Sequence, residues 1–434
     1  MRLRAVLFLG LRNFWSGENG RRIGQLRGAI AGVALSLVPL VVVLEVANGM
    51  IEGITARYIE VGTFHLQVKS LTAESEKEFE SVMASIRSVP GVTEAFPAYS
   101  GLGLAYSTSG RTGVAVRALP ANLYATDSGF RHYLTMTAGT FDLTGPTSAL
   151  LSVDVAKALQ VKVGEPIRLL TAKNLPGGNF ILRPNRLVVR GIFTTGYNEL
   201  DSLAMFISDA KGREVFTDPG ARFIGVKVID PYGDLQPIVH RIEERLPRSW
   251  YLFTWYQMEK PMYKTFETTK NLLLFIMILI VLVASVNISS ALVMLVIEKN
   301  HEIAILKSTG ASPAGITRAF VATGFVIGAV GTAGGMGLGL LAAVNINAVI
   351  AGLQWLINAV VALWQLVLSP FVHESAIHVT LLSTSYYLDR IPIRLDWQDL
   401  GVIAFLSIFL STVAAWFPAR RAGAIRPIEV MRRY

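Results

Sequence analysis

From Asn271 to Ile297 the chain runs 27 residues without a charged side chain, between Lys270 and Glu298. A helix of about 20 apolar residues crosses the hydrocarbon core of a bilayer, and a soluble helix is not apolar on every side. The segment therefore sets the class as an α-helical membrane protein. Leu400 to Ala419, closed by Arg420, is a second such run, and Gly28 to Leu44 is a third that reaches residue 50 through Glu45. The charged leader before Gly28 is too long for a signal peptide, and no small-x-small cleavage site follows, so this first run is expected to remain as a span. An apolar share of 52% against 16% charged suits a membrane chain better than an average soluble one. Cysteine is absent, which excludes disulfides, thiolate metal sites and cysteine nucleophiles.

Between Ala319 and His373 there is no formal charge, enough chain for one pass or two. The leader holds six arginines against Glu18, and the tail from Arg420 holds five against Glu429. Both ends are thus expected in the cytoplasm. That requires four spans, placed at 28–50, 270–297, 319–344 and 400–419. Residues 1–27, 298–318 and 420–434 fall inside, and 51–269 and 345–399 outside. Within the last segment, 349–368 carries Gln354, Asn358 and Gln365 on one helical face with Trp355 and Trp364, and reads as a helix lying on the outer membrane surface. Residues 50–269 balance 23 Lys or Arg with 22 Asp or Glu, so the net charge of +9 is topological and points to no nucleic acid.

The outer segment has the composition of a soluble domain large enough for its own core. Phe64–Lys69 alternates as a strand, Glu74–Ser88 has helical spacing, and Val92–Tyr106 reads as a strand. The order returns with a strand at Phe223–Ile229 and a helix at Leu235–Leu246. The expected fold is a large extracytoplasmic α+β domain, a split ferredoxin-like lobe with a β-rich insert at 121–221. The insert holds a short helix at Val153–Leu159 and strands at Pro166–Thr171 and Leu187–Phe193. Between those strands lies the loop Leu175–Arg186, where Pro176, Gly177, Gly178 and Pro184 punctuate a tip around Phe180, Ile181 and Leu182. It reads either as a docking tip or as an ordinary hairpin whose apolar residues fold back.

No GxxxxGK[ST] occurs, so any use of ATP needs a partner. His373 and His378 beside Glu374 read as a surface cluster rather than a metal site, and no nucleophile motif is present. No catalytic residue, metal or cofactor is assigned to the chain. Gly324, Gly328, Gly331, Gly335 and Gly339 form a strip on the third span that permits close helix contact. Asn287, Ser289 and Ser290 are expected to bond across helices. The inner loop EKNHEIAILKSTGASPAGITR makes a small helix at Glu302–Leu306, ended by Gly310 and followed by a helix start at Ala311, Ser312 and Pro313. So short a helix is expected to be held by a partner surface; a plain turn between spans is the simpler reading.

The run EIAILKSTGAS, the glycine-rich third span and the tail WFPARRAGAIRPIEVMRRY resemble the FtsX/MacB superfamily of ABC-transporter permeases, and within it most of all the lipoprotein-releasing LolC/LolE type. The likeness extends through LLSVDVAKALQVKVGEPIRLL, LVVRGIFTTGYNELDS and YYLDRIPIRLDWQD. It implies a bacterial inner-membrane, non-catalytic subunit paired with a second permease and with a separate ATPase dimer that binds ATP and Mg. The stretch with Glu302, Ile303, Ala304, Leu306, Lys307, Gly310 and Ala311 would couple to that ATPase. The hairpin with Pro176, Phe180, Ile181, Leu182 and Pro184 would hold a periplasmic lipoprotein carrier. ATP-driven closure would push the loop, tilt the second and third spans and expel a lipoprotein taken from the outer leaflet. Its acyl chains would sit on Val46, Met50, Ile51, Leu272, Phe275 and Ile276, which read equally as plain lipid-facing surface. Two other functions stay open: MacB-like efflux of peptides or macrolides, and an FtsX-like signalling scaffold that carries nothing.

Overall fold

The computed structural model describes residues 20–72, 74–174, 180–218, 220–368 and 392–426. The chain divides into two compact units, one built on the long helices and the other taking in Ile51–Lys264. Among the described residues four helices are long and apolar enough to cross a membrane.

The four helices are Gly20–Arg57, Lys260–Glu298, Pro313–Val344 and Trp397–Ala424, and each outruns its expected span. The first continues through IEGITAR because nothing there breaks a helix, and it contains Pro39 without interruption. It then passes into a π turn, Tyr58–Thr63, ended by Phe64 at φ 60. The second begins about ten residues early, in a polar stretch from Lys260. The third starts where Ser312 accepts from the Gly315 N–H and Pro313 takes the first helical position. Asn345 separates it from a further helix, Ile346–Leu368, in the place expected for 349–368.

Small residues bring these helices together. A Cβ on Gly331, Gly335 or Gly339 would meet Val33, Ala34 and Leu37, or Val41 of the first helix at 2.7–2.9 Å. On Gly324 or Gly328 it would meet Ala415 or Ser411 of the fourth at 2.1 and 2.6 Å. The glycine strip thus serves two neighbours. The bond across helices comes from Thr332, whose hydroxyl donates to Ser407 at 2.8 Å. Ser290 bonds back to its own helix at Val286 O, and Asn287 faces outward, contrary to the expectation of bundle glue.

In the other unit the described strands are β1 (Leu66–Ser70), β2 (Val92–Tyr106), β3 (Arg111–Leu119), β4 (Thr135–Gly139), β5 (Ser148–Ser152), β6 (Pro166–Asn174), β7 (Phe180–Thr194), β8 (Ala204–Ser208), β9 (Arg222–Val228) and β10 (Trp250–Thr254). The order β10-β1-β9-β2 is antiparallel throughout. Helices Glu76–Arg87 and Gln236–Glu243 cover one face through Phe79, Val82, Ile86, Val239 and Ile242. This is the split ferredoxin-like lobe. The insert is no separate sheet. Strand β2 leaves β9 near Tyr99 and goes on to pair with β3, and β6 pairs with both β2 and β7. The path β2-β3-β8-β5-β7-β6 therefore closes on itself as a six-stranded barrel. Its interior is filled by Ala105, Val114, Val116, Leu151, Leu169, Leu187, Val189 and Met205.

Candidate functional site

The loop between the second and third long helices forms a helix, Asn300–Ser308, longer than the expected Glu302–Leu306. Gly310 stands at φ +99, with Ala311 N–H donating to Leu306 O and Gly310 N–H to Lys307 O, a Schellman ending. The helix is seated on its own chain before any partner arrives. Ile303 and Ala304 are buried, Ile303 in the same cluster as Leu295, Ile316 and Ala419. Lys307 Nζ donates to the carbonyls of Gly423 and Ile425 at 2.8 and 2.7 Å, clasping the end of the fourth helix. A partner surface was expected to hold so short a helix; these contacts within the chain already hold it. Of the residues expected to couple, Glu302, Leu306 and Gly310 are exposed. Ile305, absent from the expected set, is exposed beside Leu306. Ile305 and Leu306 are thus exposed side by side, with His301 and Glu302 exposed one turn before them.

The hairpin of β6 and β7 is longer than a loop at 175–186. Phe180 to Arg186 already belong to β7, in register from Asn174↔Phe180 to Arg168↔Arg186. The pairing of β6 with β2 reaches Leu170, so the pairs from Thr171↔Arg183 to Asn174↔Phe180 extend the hairpin beyond that contact. Pro184 is exposed opposite Leu170. Pro176 and the side chains of Phe180, Ile181 and Leu182 lie outside the described residues, as do His373, Glu374 and His378. At the base, Arg168 and Arg186 are exposed and directly opposed, a like-charge pair that an acidic partner would relieve.

On the long helices, Leu272, Phe275 and Ile276 are exposed around the buried Met277, and Val46 and Met50 are half-buried. Ile51, also half-buried, opens the other unit. A polar tie unrecognised in the sequence lies near them. Asp399 of the fourth helix accepts from Asn48 of the first at 2.9 Å and pairs with Lys270 of the second at 2.8 Å. Glu45, fully buried, accepts from the Asp396 N–H at 3.3 Å. Gly49 packs so closely on Pro392 that a Cβ would sit 1.9 Å from its carbonyl oxygen. Three helices are thereby fastened at one carboxylate.

A second cluster, equally unforeseen, grips the π turn. Lys227 of β9 pairs with Glu60, donates to the Glu60 carbonyl at 3.2 Å, and pairs with Asp127 at 2.9 Å. His65 Nδ1 accepts from the Val228 N–H, which leaves the proton on Nε2 to donate to Glu60 at 3.1 Å. Arg117 Nη1 donates to Val61 O at 2.8 Å, and Arg57 Nε to Thr195 O at 2.7 Å. Burial brings the Arg117 guanidinium down to about 10, opposed by the charge of Glu259, so it stays protonated at neutral pH. The available signal was a lysine, next to last in the otherwise apolar run of the strand RFIGVKV. The group ties the π turn to β9 through Lys227 and to β3 through Arg117.

Residues 28–244 match the MacB-like periplasmic core domain, and residues 274–427 the FtsX-like permease C-terminal domain. The lipoprotein-releasing system transmembrane protein LolC of Neisseria meningitidis is 29% identical, covering 93% of each chain. LolC of Xylella fastidiosa is 26% identical over 93% of this chain and 92% of its own. LolE of Haemophilus influenzae, a transmembrane protein of the same system, is 25% identical over 96% and 97%.

Proposed function

Because the chain belongs to the permease family that joins a MacB-like periplasmic core domain to an FtsX-like C-terminal domain, we propose that it is the membrane subunit of an ABC transporter that releases lipoproteins. The carrying observation is that relatives named for that system match it along more than nine tenths of both lengths. In this reading the chain lies in a bacterial inner membrane with both termini in the cytoplasm and Ile51–Lys264 in the periplasm. A separate ATPase dimer binds ATP and Mg and docks on Glu302, Ile305 and Leu306, while Ile303, Ala304 and Lys307 pass the push into the chain. The third and fourth helices, joined at Gly324, Gly328 and Thr332, take that push first.

A lipoprotein enters from the outer leaflet with its acyl chains against Val46, Met50, Ile51, Leu272, Phe275 and Ile276. The hairpin of β6 and β7 holds the periplasmic carrier, with Arg168 and Arg186 meeting carboxylates at its base. Arg117 and Lys227 make the π turn a firm joint through which movement reaches the barrel.

The test is release of an acylated protein to the carrier from vesicles holding the whole transporter. Replacing Leu272 and Phe275 by Glu puts charge where an acyl chain must sit, and release is expected to fall about a hundredfold or more with the complex still assembled. Release at the unsubstituted rate would remove acyl binding from these helices.

A further inference from the structure

We propose that the end of the fourth long helix holds one anionic phospholipid, its phosphate between Arg420 and Arg421 and an acyl chain along Trp416, Val413, Phe409 and Phe405. At this end of Trp397–Ala424, Pro418, Ala419, Ala422 and Gly423 are buried. A Cβ on Gly423 would stand 2.4 Å from the Thr317 hydroxyl of the third helix, so packing fixes which face is turned out. The opposite face is bare. Along it Val402, Phe405, Phe409, Val413, Trp416 and Arg420 follow one another at steps of three, four, four, three and four. Those steps average the turn of an α-helix, about 3.6 residues, so the positions keep to one line on a straight helix. The apolar members are between 51% and 70% exposed, and the rings of Phe405 and Phe409 stack with centroids 6.0 Å apart.

An apolar stripe on a span is ordinary lipid contact, and what singles this one out is how it ends. The Arg420 guanidinium lies 5.6 Å from the Trp416 ring centroid, and that of Arg421 4.5 Å from the Phe417 centroid. Both arginines are exposed, and neither meets a carboxylate among the described residues. A guanidinium laid on a ring is held in place while its N–H groups stay available to other partners. Two of them side by side carry two unneutralised charges, and their planar forks match the oxygens of a phosphate in pairs. Length selects a lipid over a free ion. Trp416 and Phe405 are eleven residues apart, about 16 Å of helix, which is the depth of one leaflet in a core about 30 Å thick. A phosphate on the arginines therefore stands at the interface while its chain runs the whole stripe, with the Trp416 indole at the boundary that such rings favour. The sign of the charge selects among headgroups. A choline ammonium would meet the same two cations, whereas the glycerol of phosphatidylglycerol leaves the phosphate charge uncancelled. The site needs the fourth helix to cross a membrane and does not depend on what is carried.

The full chain, purified with its ATPase partner and stripped of lipid in a nonionic detergent, is titrated with dioleoyl phosphatidylglycerol or dioleoyl phosphatidylcholine, and bound lipid is counted by native mass spectrometry. Phosphatidylglycerol is expected to be retained and phosphatidylcholine lost. Arg420→Gln with Arg421→Gln should weaken retention about thirtyfold. Arg111→Gln with Arg190→Gln, which removes the same two charges from exposed positions in the other unit, should leave it unchanged. Phe405→Ala with Phe409→Ala should weaken the dioleoyl lipid about tenfold and spare dihexanoyl phosphatidylglycerol, whose chains end short of Phe405. Equal retention of the two headgroups, or unchanged affinity in the arginine variant, overturns the proposal. So does displacement by inorganic phosphate with no dependence on chain length, which would make this a free-anion site. Loss of the ATPase subunit from the arginine variant would give the patch to that partner and overturn it as well. Lipid is counted without transport, so the result stands apart from lipoprotein release.

Discussion

In the unit that takes in Ile51–Lys264, Phe206 stacks on Phe193 with ring centroids 4.7 Å apart and meets Phe130 at 6.0 Å. In the helical unit, by contrast, Phe405 and Phe409 stack with each other on the outside, 70% and 51% exposed, and beside a buried cluster of Val, Leu and Ile the closest approaches between helices fall at Gly, Ala, Ser and Thr. The inversion follows from the solvent. Water drives large apolar groups inward, whereas lipid is as apolar as a leucine side chain and rewards only close fit and satisfied polar groups. One chain therefore carries two opposite rules for which substitutions do harm.

The largest effect expected is in the aromatic core. Phe206→Ala should cost about 3–5 kcal/mol, read as an earlier urea midpoint in the near-ultraviolet dichroism of the full chain. Phe405→Ala should leave that midpoint where it was. Equal losses would mean that the two units do not differ in kind. Next comes enlargement inside the bundle. Gly335→Leu would drive a side chain into the Ala34 carbonyl, 2.7 Å from where its Cβ must stand, at a cost of about 1–3 kcal/mol. Titration of the detergent-solubilised chain with a denaturing detergent should show it, with Gly337→Leu, which meets open space, as the harmless control. The smallest is the buried hydroxyl bond between the third and fourth helices. Thr332→Val keeps the shape and loses the bond to Ser407, for about 0.6–1.7 kcal/mol, and the same titration measures it. A loss above that range would show that hydrogen bonding, rather than fit, dominates the bundle.

Local features were legible wherever the signal was local. Val92–Tyr106 and Val153–Leu159 have the bounds that alternation and helical spacing give, and the Gly310 ending and the Ser312–Pro313 start depend on neighbours within a turn. Closure of the barrel depends on β6 reaching β2 some sixty residues back, as in Tyr106↔Arg168, and no periodicity carries that. Pro184 reads as turn punctuation, yet it lies in a strand. It sits before β5 joins β7 at Val188, where β7 has one neighbouring strand, and a missing N–H is tolerated there. In the inner loop helix apolar residues point several ways, so composition could not tell that Ile303 and Ala304 turn inward and Ile305 outward. The charges that grip the π turn come from Glu60, Asp127 and Lys227, far apart in sequence and joined only by the fold.

The clasp of Lys307 on two backbone carbonyls has a mechanical corollary. Gly423, one of those two residues, also abuts Pro313 O and the Thr317 hydroxyl at the foot of the third helix, so the elbow, that foot and the close of the fourth helix form one gearwheel rather than a hinge with slack. A shove on any tooth turns all three at once.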